Sequence, residues 1–567
     1  MEGHNPSTFY SSHKNKNMKR LFTITILLVG VFVSAAFAEE RTNEQLINAA
    51  RKVLYSNGGQ RKASASGELA ILRRNEQVSI VGYKDGRCAF IANDDSFEPV
   101  LGYTDDILPE ILPPALEWWI NAMDASLSER LAKGKKPNKT KPSAQYKAAV
   151  DMLISTQWGQ SEPYNNLCPQ YVVNNITRRY VTGCVATSMA QVMNYHEYPV
   201  KGIGSRSFYL YDDNGGRTRV YANFGNTTYD WNNMLDTYRG SNSYSYEEAN
   251  AVATLMYHCG VSVEMGYAED GSGALSKDAS EALKKYFGYN ASTRYYYRDI
   301  YHVDEWMDII YGELNDGCPI IYGGARQDGG HSFVLDGYNE SGLIHINWGW
   351  DGAGNGYFDI SKADGYNQYQ DLIRVRRADD DRINYSFAST WGLLENLTAN
   401  ISIKRLSLTT GAFVNFNEDT FNGYIGVMAM DTTSIQKTLL TTYQEKLTEV
   451  YHGYGYSRFP INCSIDGLAD GTYRIFLVTK DDNDTDWQPV RSKEGICNNY
   501  LLTITNGSGT LKEDDSSWIY NTTTAIKEIE VKMPEKTSDK TFNLSGMEVG
   551  ENHRGIIIRN GRKILNR

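Results

Sequence analysis

Apolar residues recur along this chain at two spacings, one helical and one strand-like. Helical spacing marks residues 43–54, 145–155, 184–196, 247–259 and 277–286, and a further helix carries the Trp118-Trp119 pair. The run from Cys184 is the cleanest. Val185, Met189, Val192, Met193 and His196 share helical positions, and no Gly or Pro interrupts before Pro199. Strand-like patches occupy 78–81, 88–91, 333–335 and 343–346, the last two folding about a turn at 339–342. From about Tyr385 the pattern is strands only, at 399–403, 423–428, 473–478 and 500–504, separated by Gly, Asn and Asp turns. Helices first and strands later predict an α+β unit, and the strands-only region predicts a β-sandwich behind it.

A chain of 567 residues is long enough for several domains. An apolar run from Leu21 to Val33 follows Lys19-Arg20, and Ala36-Phe37-Ala38 supplies a small-residue cleavage site. Residues 1–38 therefore read as a secretory signal peptide, too short to span a membrane, and Met18 would open a signal of ordinary length. The protein is expected to be secreted or held at the cell surface, with no membrane span in its mature form. No Cys follows the apolar run until Cys88, which argues against a lipid anchor. Residues 39–142 form a first domain ending in a Lys- and Pro-rich stretch, Lys133 to Pro142, too polar to pack. Exposed stretches of this kind are where proteases cut, so processing is expected between about Ala132 and Lys147. The α+β unit then spans 143–382, the sandwich 383–533, and a short C-terminal β segment 534–567.

Charge narrows the function. The net charge is −11 and the pI near 5.5, so nothing favours a nucleic-acid partner. There is no H-E-x-x-H and no C-x-x-C. Asp482 to Asp486 imitates the start of a calcium loop, but Trp487 occupies the glycine position and Lys493 the final glutamate position, so a polar hairpin tip is expected. No metal and no cofactor is called for. Seven cysteines are few for a disulfide-built exported protein, and the odd count fits one reserved thiol. Cys463 and Cys497 are candidates to pair on their position in the chain alone.

The reserved thiol is Cys184, which follows Gly183 at the start of a helix. Cysteine attacks as thiolate, and a helix N-terminus beside a histidine lowers the thiol pKa. Cys168 and Cys259 are not preceded by glycine at a helix start, and Cys259 lies in an apolar run where a buried inert thiol is expected. His196 is excluded as base because twelve residues of helix rise about 18 Å; a helix-end role is expected instead. His331, in Gly329-Gly330-His331, is the better base. Folding the following hairpin brings Asn347 and Trp348 close to it, so the Asn347 side chain can accept from one ring nitrogen while Trp348 shields that bond. Acyl transfer also needs oxyanion donors: the Cys184 N–H and a side-chain amide, Gln160 or Gln157.

These segments together resemble the streptopain family of papain-like cysteine peptidases. The resemblance runs from about Ala149 to Val375 and rests on Trp158-Gly159-Gln160, Pro163-Tyr164-Asn165, Gly183 to Thr187, Tyr195 to Pro199, Gly330-His331 and His345 to Trp350. It implies Cys184 as nucleophile, His331 as general base and acid, Gln160 in the oxyanion hole, and Asn347 and Trp348 as supports of His331. The segment Gly266 to Ala274 is similar to the loop lining the non-primed subsites, with Ser272 and Gly330 as peptide-backbone contacts; its residues depart from the family pattern. Phe90 to Asp95 with Pro99 to Tyr103 is similar to the family's inhibitory propeptides, and the tail resembles short C-terminal β segments of secreted Bacteroidetes proteins. The implied protein is an exported cysteine endopeptidase made as a zymogen, with protein and peptide substrates and its own propeptide as inhibitor. Two other classes stand beside it: an acyl transferase using the same thiol chemistry on amines, and an adhesin or ligand-binding protein built on the sandwich.

Overall fold

The computed structural model describes residues 39–56, 68–134, 141–211, 216–240, 243–269, 271–326, 329–361, 368–377, 394–400, 404–456, 458, 460–491 and 498–513, with the backbone of 541–543, 548–549, 555–559 and 562–566. The signal peptide, Cys497 and the boundary expected at 382/383 lie outside these residues. Among the described residues no helix is long and apolar enough to cross a membrane.

The chain opens with α1 (Asn43–Ser56) and four strands, β1 (Ala70–Arg74), β2 (Val78–Gly82), β3 (Cys88–Ala92) and β4 (Val100–Thr104), paired antiparallel in sequence. Helix α2 (Pro114–Ala132) packs on this meander. Proline at its first position has no N–H to waste, and Leu116, Trp119, Ile120, Met123 and Leu127 face inward. Asp124 anchors α2 by accepting from Gln77 N at 2.6 Å and Val78 N at 2.9 Å.

A hairpin, β5 (Gln170–Val173) with β6 (Ile176–Arg179), leads to α3 (Cys184–His196). A second hairpin, β7 (Arg206–Tyr211) with β8 (Arg217–Ala222), precedes α4 (Tyr246–Ser262), which Ser245 and Glu248 start with a reciprocal capping box. After α5 (Ser276–Phe287), β9 (Arg294–Tyr297) and α6 (Val303–Asn315) come β10 (Ile320–Arg326), β11 (Gly329–Tyr338), β12 (Ile344–Asn347), β13 (Gly356–Phe358) and β14 (Gln368–Arg374).

One sheet runs through both regions, in the order β1-β2-β3-β4-β13-β12-β11-β10-β14-β9. The joint is β4 against β13, antiparallel, with Gly102 opposite Phe358 and Tyr103 opposite Tyr357. The α+β reading holds. The division drawn at 142/143 does not divide the sheet or the core beneath it. On one face Phe90 and Trp119 of the N-terminal region share a buried cluster with Phe333, Trp348 and Phe358. On the other face α3, α4 and α5 bury Val185, Met189, Val192, Met256 and Leu283 against Ile321, Val334 and Ile373.

Two local expectations fail. Residues 145–155 form no helix: after a turn at 144–146, Val150 exchanges backbone hydrogen bonds with Tyr338 at 2.8 and 2.9 Å, and Leu153 N donates to Asp336 O. Pairing with β11 overrides the helical spacing. Helix α6 was not expected, although Trp306, Met307, Ile310 and Leu314 bury one of its faces.

Beyond the ten-stranded sheet, strands Leu394–Asn400, Arg405–Thr410 and Pro460–Ser464 face a larger sheet built on Phe421–Asp431 and Gly471–Asp481. Leu406, Leu408, Ile425, Val427, Ile475 and Leu477 fill the space between them, forming the expected sandwich. The loop Phe416–Asp419 seats it on the catalytic unit. Buried Glu418 accepts from Ser280 Oγ at 2.8 Å and Tyr295 N at 3.1 Å and pairs with Lys284, while Phe416 stacks on Tyr297 at 4.8 Å. Four tail strands, Thr541–Asn543, Glu548–Val549, Gly555–Arg559 and Arg562–Asn566, form a small sheet.

Candidate active site

Cys184 is the first residue of α3, over the unpaired N–H end of the helix dipole. Gly183 before it has φ 89°, and a Cβ there would lie 2.6 Å from Met265 Sδ and 2.9 Å from Ser272 O, so only glycine fits. The turn is fixed from within the helix by Thr187, whose N–H and hydroxyl both donate to Gly183 O at 3.1 Å.

His331 lies on β11 and is buried, with its ring close enough to the Cys184 thiol to favour the thiolate. Burial opposes ionisation of that thiol. The pull of His331, with the N–H groups of Ser332 and Val185, more than offsets it, so the pKa falls below the ordinary thiol value. The other described cysteines move the opposite way: burial pushes Cys88 and Cys168 up to about 12, Cys318 and Cys463 to about 11, and Cys259 well up. All five are buried, and Cys184 is half-exposed. Among the described residues one thiol is both poised and reachable.

The second ring nitrogen corrects the expectation for Asn347. His331 Nε2 lies 2.9 Å from the carbonyl oxygen of Trp348, which accepts from it. Asn347 acts one step back. Its Oδ1 accepts from Gly349 N at 3.1 Å, spanning the Trp348 peptide, and its Nδ2 donates to Thr156 O at 2.7 Å. The side chain thus clamps the turn that presents the Trp348 carbonyl, because a short Asn side chain bonds readily two residues on. Trp348 differs too. Its indole packs on Phe333 at 4.8 Å and Phe358 at 5.4 Å and donates to Gly354 O at 3.0 Å. The rings flanking His331 are Phe333 at 6.1 Å and the part-exposed Trp350 at 6.3 Å.

Gln160 is half-buried, and its carbonyl accepts from Thr182 N at 3.1 Å, two residues before Cys184. Its rival Gln157 packs instead under Gly352, where a Cβ would meet the Gln157 amide at 3.0 Å. Ser272 is buried with its hydroxyl donating to Val181 O at 2.7 Å, which pins the 266–274 loop beside the nucleophile's turn. Gly330 is exposed on β11, next to His331. His196 ends α3 against Tyr289 OH at 3.2 Å, as a helix-end residue should.

The N-terminal region packs against neighbours of the site. A Cβ on Gly329 would lie 3.3 Å from the Trp118 ring of α2, and one on Gly354 would lie 2.8 Å from Leu116. Asp105, just past β4, bonds the buried His345 of β12 at 2.7 Å. These contacts, like Gln191 below, escaped sequence reading. Gln191 alone left a signal, lying seven residues after Cys184 on the same helical stripe.

Residues 158–358 match the Peptidase C10 family model. The Thiol protease/hemagglutinin PrtT of Porphyromonas gingivalis is 33% identical over 294 residues, 49% of this chain; the match spans 33% of PrtT, about a third of its length. Streptopain of Streptococcus pyogenes is 29% identical over 399 residues, 63% of this chain and 98% of streptopain. A solved fragment of Prevotella intermedia prointerpain A is 42% identical with a TM-score of 0.50, covering 54% of this chain and 98% of the fragment. That alignment takes in a proenzyme, and the family match encloses Cys184, His331 and the turn between them. The chain belongs to the streptopain family of cysteine peptidases, Peptidase C10.

Proposed function

We propose that this protein is exported as a zymogen and, once residues up to the 132–147 stretch are removed, hydrolyses protein substrates at Cys184. The thiolate attacks the scissile carbonyl carbon. The oxyanion is received by the Cys184 N–H and the Gln160 side chain, and His331 passes its proton to the departing amine. Water, deprotonated by His331, then attacks the thioester, releasing the acid and restoring the thiol. Ser272 and Gly330 flank the nucleophile and offer backbone groups to an extended substrate. A hydrophobic residue two positions before the cut is the expected preference.

The observation that carries this reading is the Cys184–His331 pair at the start of α3, in which one thiol is pushed down while the other described thiols are pushed up. The test is to produce residues 39–567 with and without Cys184→Ala under reducing conditions and follow intact mass and casein cleavage. Loss of roughly the first hundred residues followed by casein cleavage, with the Cys184→Ala chain inert, supports the reading. A processed parent that cleaves nothing overturns it.

A further inference from the structure

Cys184, Ser188 and Gln191 stand at i, i+4 and i+7 of α3 and so share one stripe of the helix. Each meets a polar group of the sheet. Cys184 meets His331, Ser188 Oγ accepts from Ser332 Oγ at 3.1 Å, and Gln191 meets the Asn347 amide. Beside them Val185, Met189 and Val192 pack against Ile321, Val334 and Ile373. Apolar packing is non-directional, so it holds α3 at a distance without fixing its rotation. Hydrogen bonds fix rotation.

Gln191 is fully buried. Its Oε1 accepts from the Thr156 hydroxyl at 3.1 Å, Trp158 N at 3.3 Å and Asn347 Nδ2 at 3.1 Å, and its Nε2 donates to Asn347 Oδ1 at 3.3 Å. Thr156 and Trp158 lead directly to Gln160. Asn347 leads through the Gly349 turn to the Trp348 carbonyl that holds His331. One amide therefore touches the three segments carrying the nucleophile, the oxyanion donor and the support of the base. An apolar side chain of equal size would fill the volume but leave the Thr156 hydroxyl, the Trp158 N–H and one face of the Asn347 amide unpaired in a dry interior.

We propose that Gln191 is a positioning residue for the peptidase reaction, setting the rotation of α3 so that Cys184, Gln160 and His331 keep one geometry. This rests on the peptidase reading of Cys184 and His331. Misplacing reacting groups by about an ångström costs up to roughly a hundredfold in rate, with little effect on substrate affinity.

The test uses the full chain with Gln191→Met and Gln191→Glu, processed with trypsin at the lysines of the 133–142 linker, then freed of trypsin. Peptide hydrolysis is normalised to titrated active sites, and Cys184 alkylation by iodoacetamide is followed against pH. Gln191→Met should lower kcat by about 30-fold with KM within about threefold, and move the alkylation profile to higher pH. Gln191→Glu keeps the acceptor and should lose about five- to tenfold. Parent-like kcat and alkylation profile in folded Gln191→Met, even with a lower melting temperature, overturns the proposal. If Gln191→Met does not fold, parent-like behaviour of Gln191→Glu overturns it instead. A processed parent that alkylates but hydrolyses nothing sinks the peptidase reading, and this one with it.

Discussion

His345 offers a measurable grip between the N-terminal region and the catalytic unit. Its Nδ1 lies 2.5 Å from Asp336 Oδ1 and its Nε2 2.7 Å from Asp105 Oδ2, with all three groups largely withdrawn from water. Burial alone would lower the imidazole pKa. The two carboxylates override it and raise the value from 6.5 to about 10. That rise corresponds to about 5 kcal/mol of differential stabilisation of the charged ring. Asp336 is completely enclosed and Asp105 somewhat exposed, so Asp105 is assigned the smaller share, roughly 2 kcal/mol, or about 30-fold in association. A raised pKa contributes stability that is complete below the ordinary value of 6.5 and drains away as pH rises through about 10. Asp105→Asn keeps the shape and an acceptor but removes the charge. In a Cys184→Ala background, with the linker cut by trypsin, the N-terminal piece of the Asp105→Asn chain should separate from the catalytic piece on gel filtration about 30-fold more readily at pH 6.5. The gap from the parent should close by pH 10. Equal retention at pH 6.5, or a gap that widens with pH, would refute this reasoning.

Three further outcomes follow from the same geometry. In the matured enzyme, iodoacetamide at pH 6 should modify Cys184 ahead of every other described cysteine, read by peptide mass, because its thiolate persists to lower pH while the others are buried and shifted up. Gly183→Ala, which forces a methyl group against Met265 at a φ of 89°, should cost about 1–3 kcal/mol in thermal unfolding and at least a hundredfold in peptide hydrolysis. Glu418→Ala leaves Lys284, the Ser280 hydroxyl and the Tyr295 N–H without their acceptor; it should cost about 2–3 kcal/mol, read by thermal unfolding against the parent.

The nucleophile was legible because its signals are local. Helix α3 begins and ends where the apolar spacing places it, from Cys184 to His196, and the glycine before the thiol is demanded by a positive φ. The hairpin carrying His331 and Asn347 was legible for the same reason. What failed was decided by distant partners. Residues 145–155 have helical spacing yet pair with Tyr338, nearly two hundred positions away. The role expected of the Asn347 side chain passes to the Trp348 carbonyl, since a backbone acceptor leaves no mark in a sequence. The joint between β4 and β13 was invisible because a three-residue strand with one glycine shows no periodicity. Helix α6 is a different case. Its apolar residues at 306, 307, 310 and 314 were readable and simply outweighed by the strands around them.

The two outer strands of the sheet's catalytic half, β9 and β13, face unequal neighbours. At β9 the sandwich reaches the outer edge, where Glu418 accepts from Tyr295 N, and it remains covalently attached after any cut near residue 140. At β13 the neighbour is β4, which would depart with the N-terminal region under the proposed processing. Processing there would open the β13 edge, bordered by the apolar layer of Trp348 and Phe358 that α2 and β3 cover in the full chain. An unpaired edge beside exposed aromatics is a template for another chain. Colloidal behaviour should differ accordingly: the precursor tolerates concentration, while the enzyme freed of it self-associates as it accumulates, which favours keeping the intact precursor as the storage form.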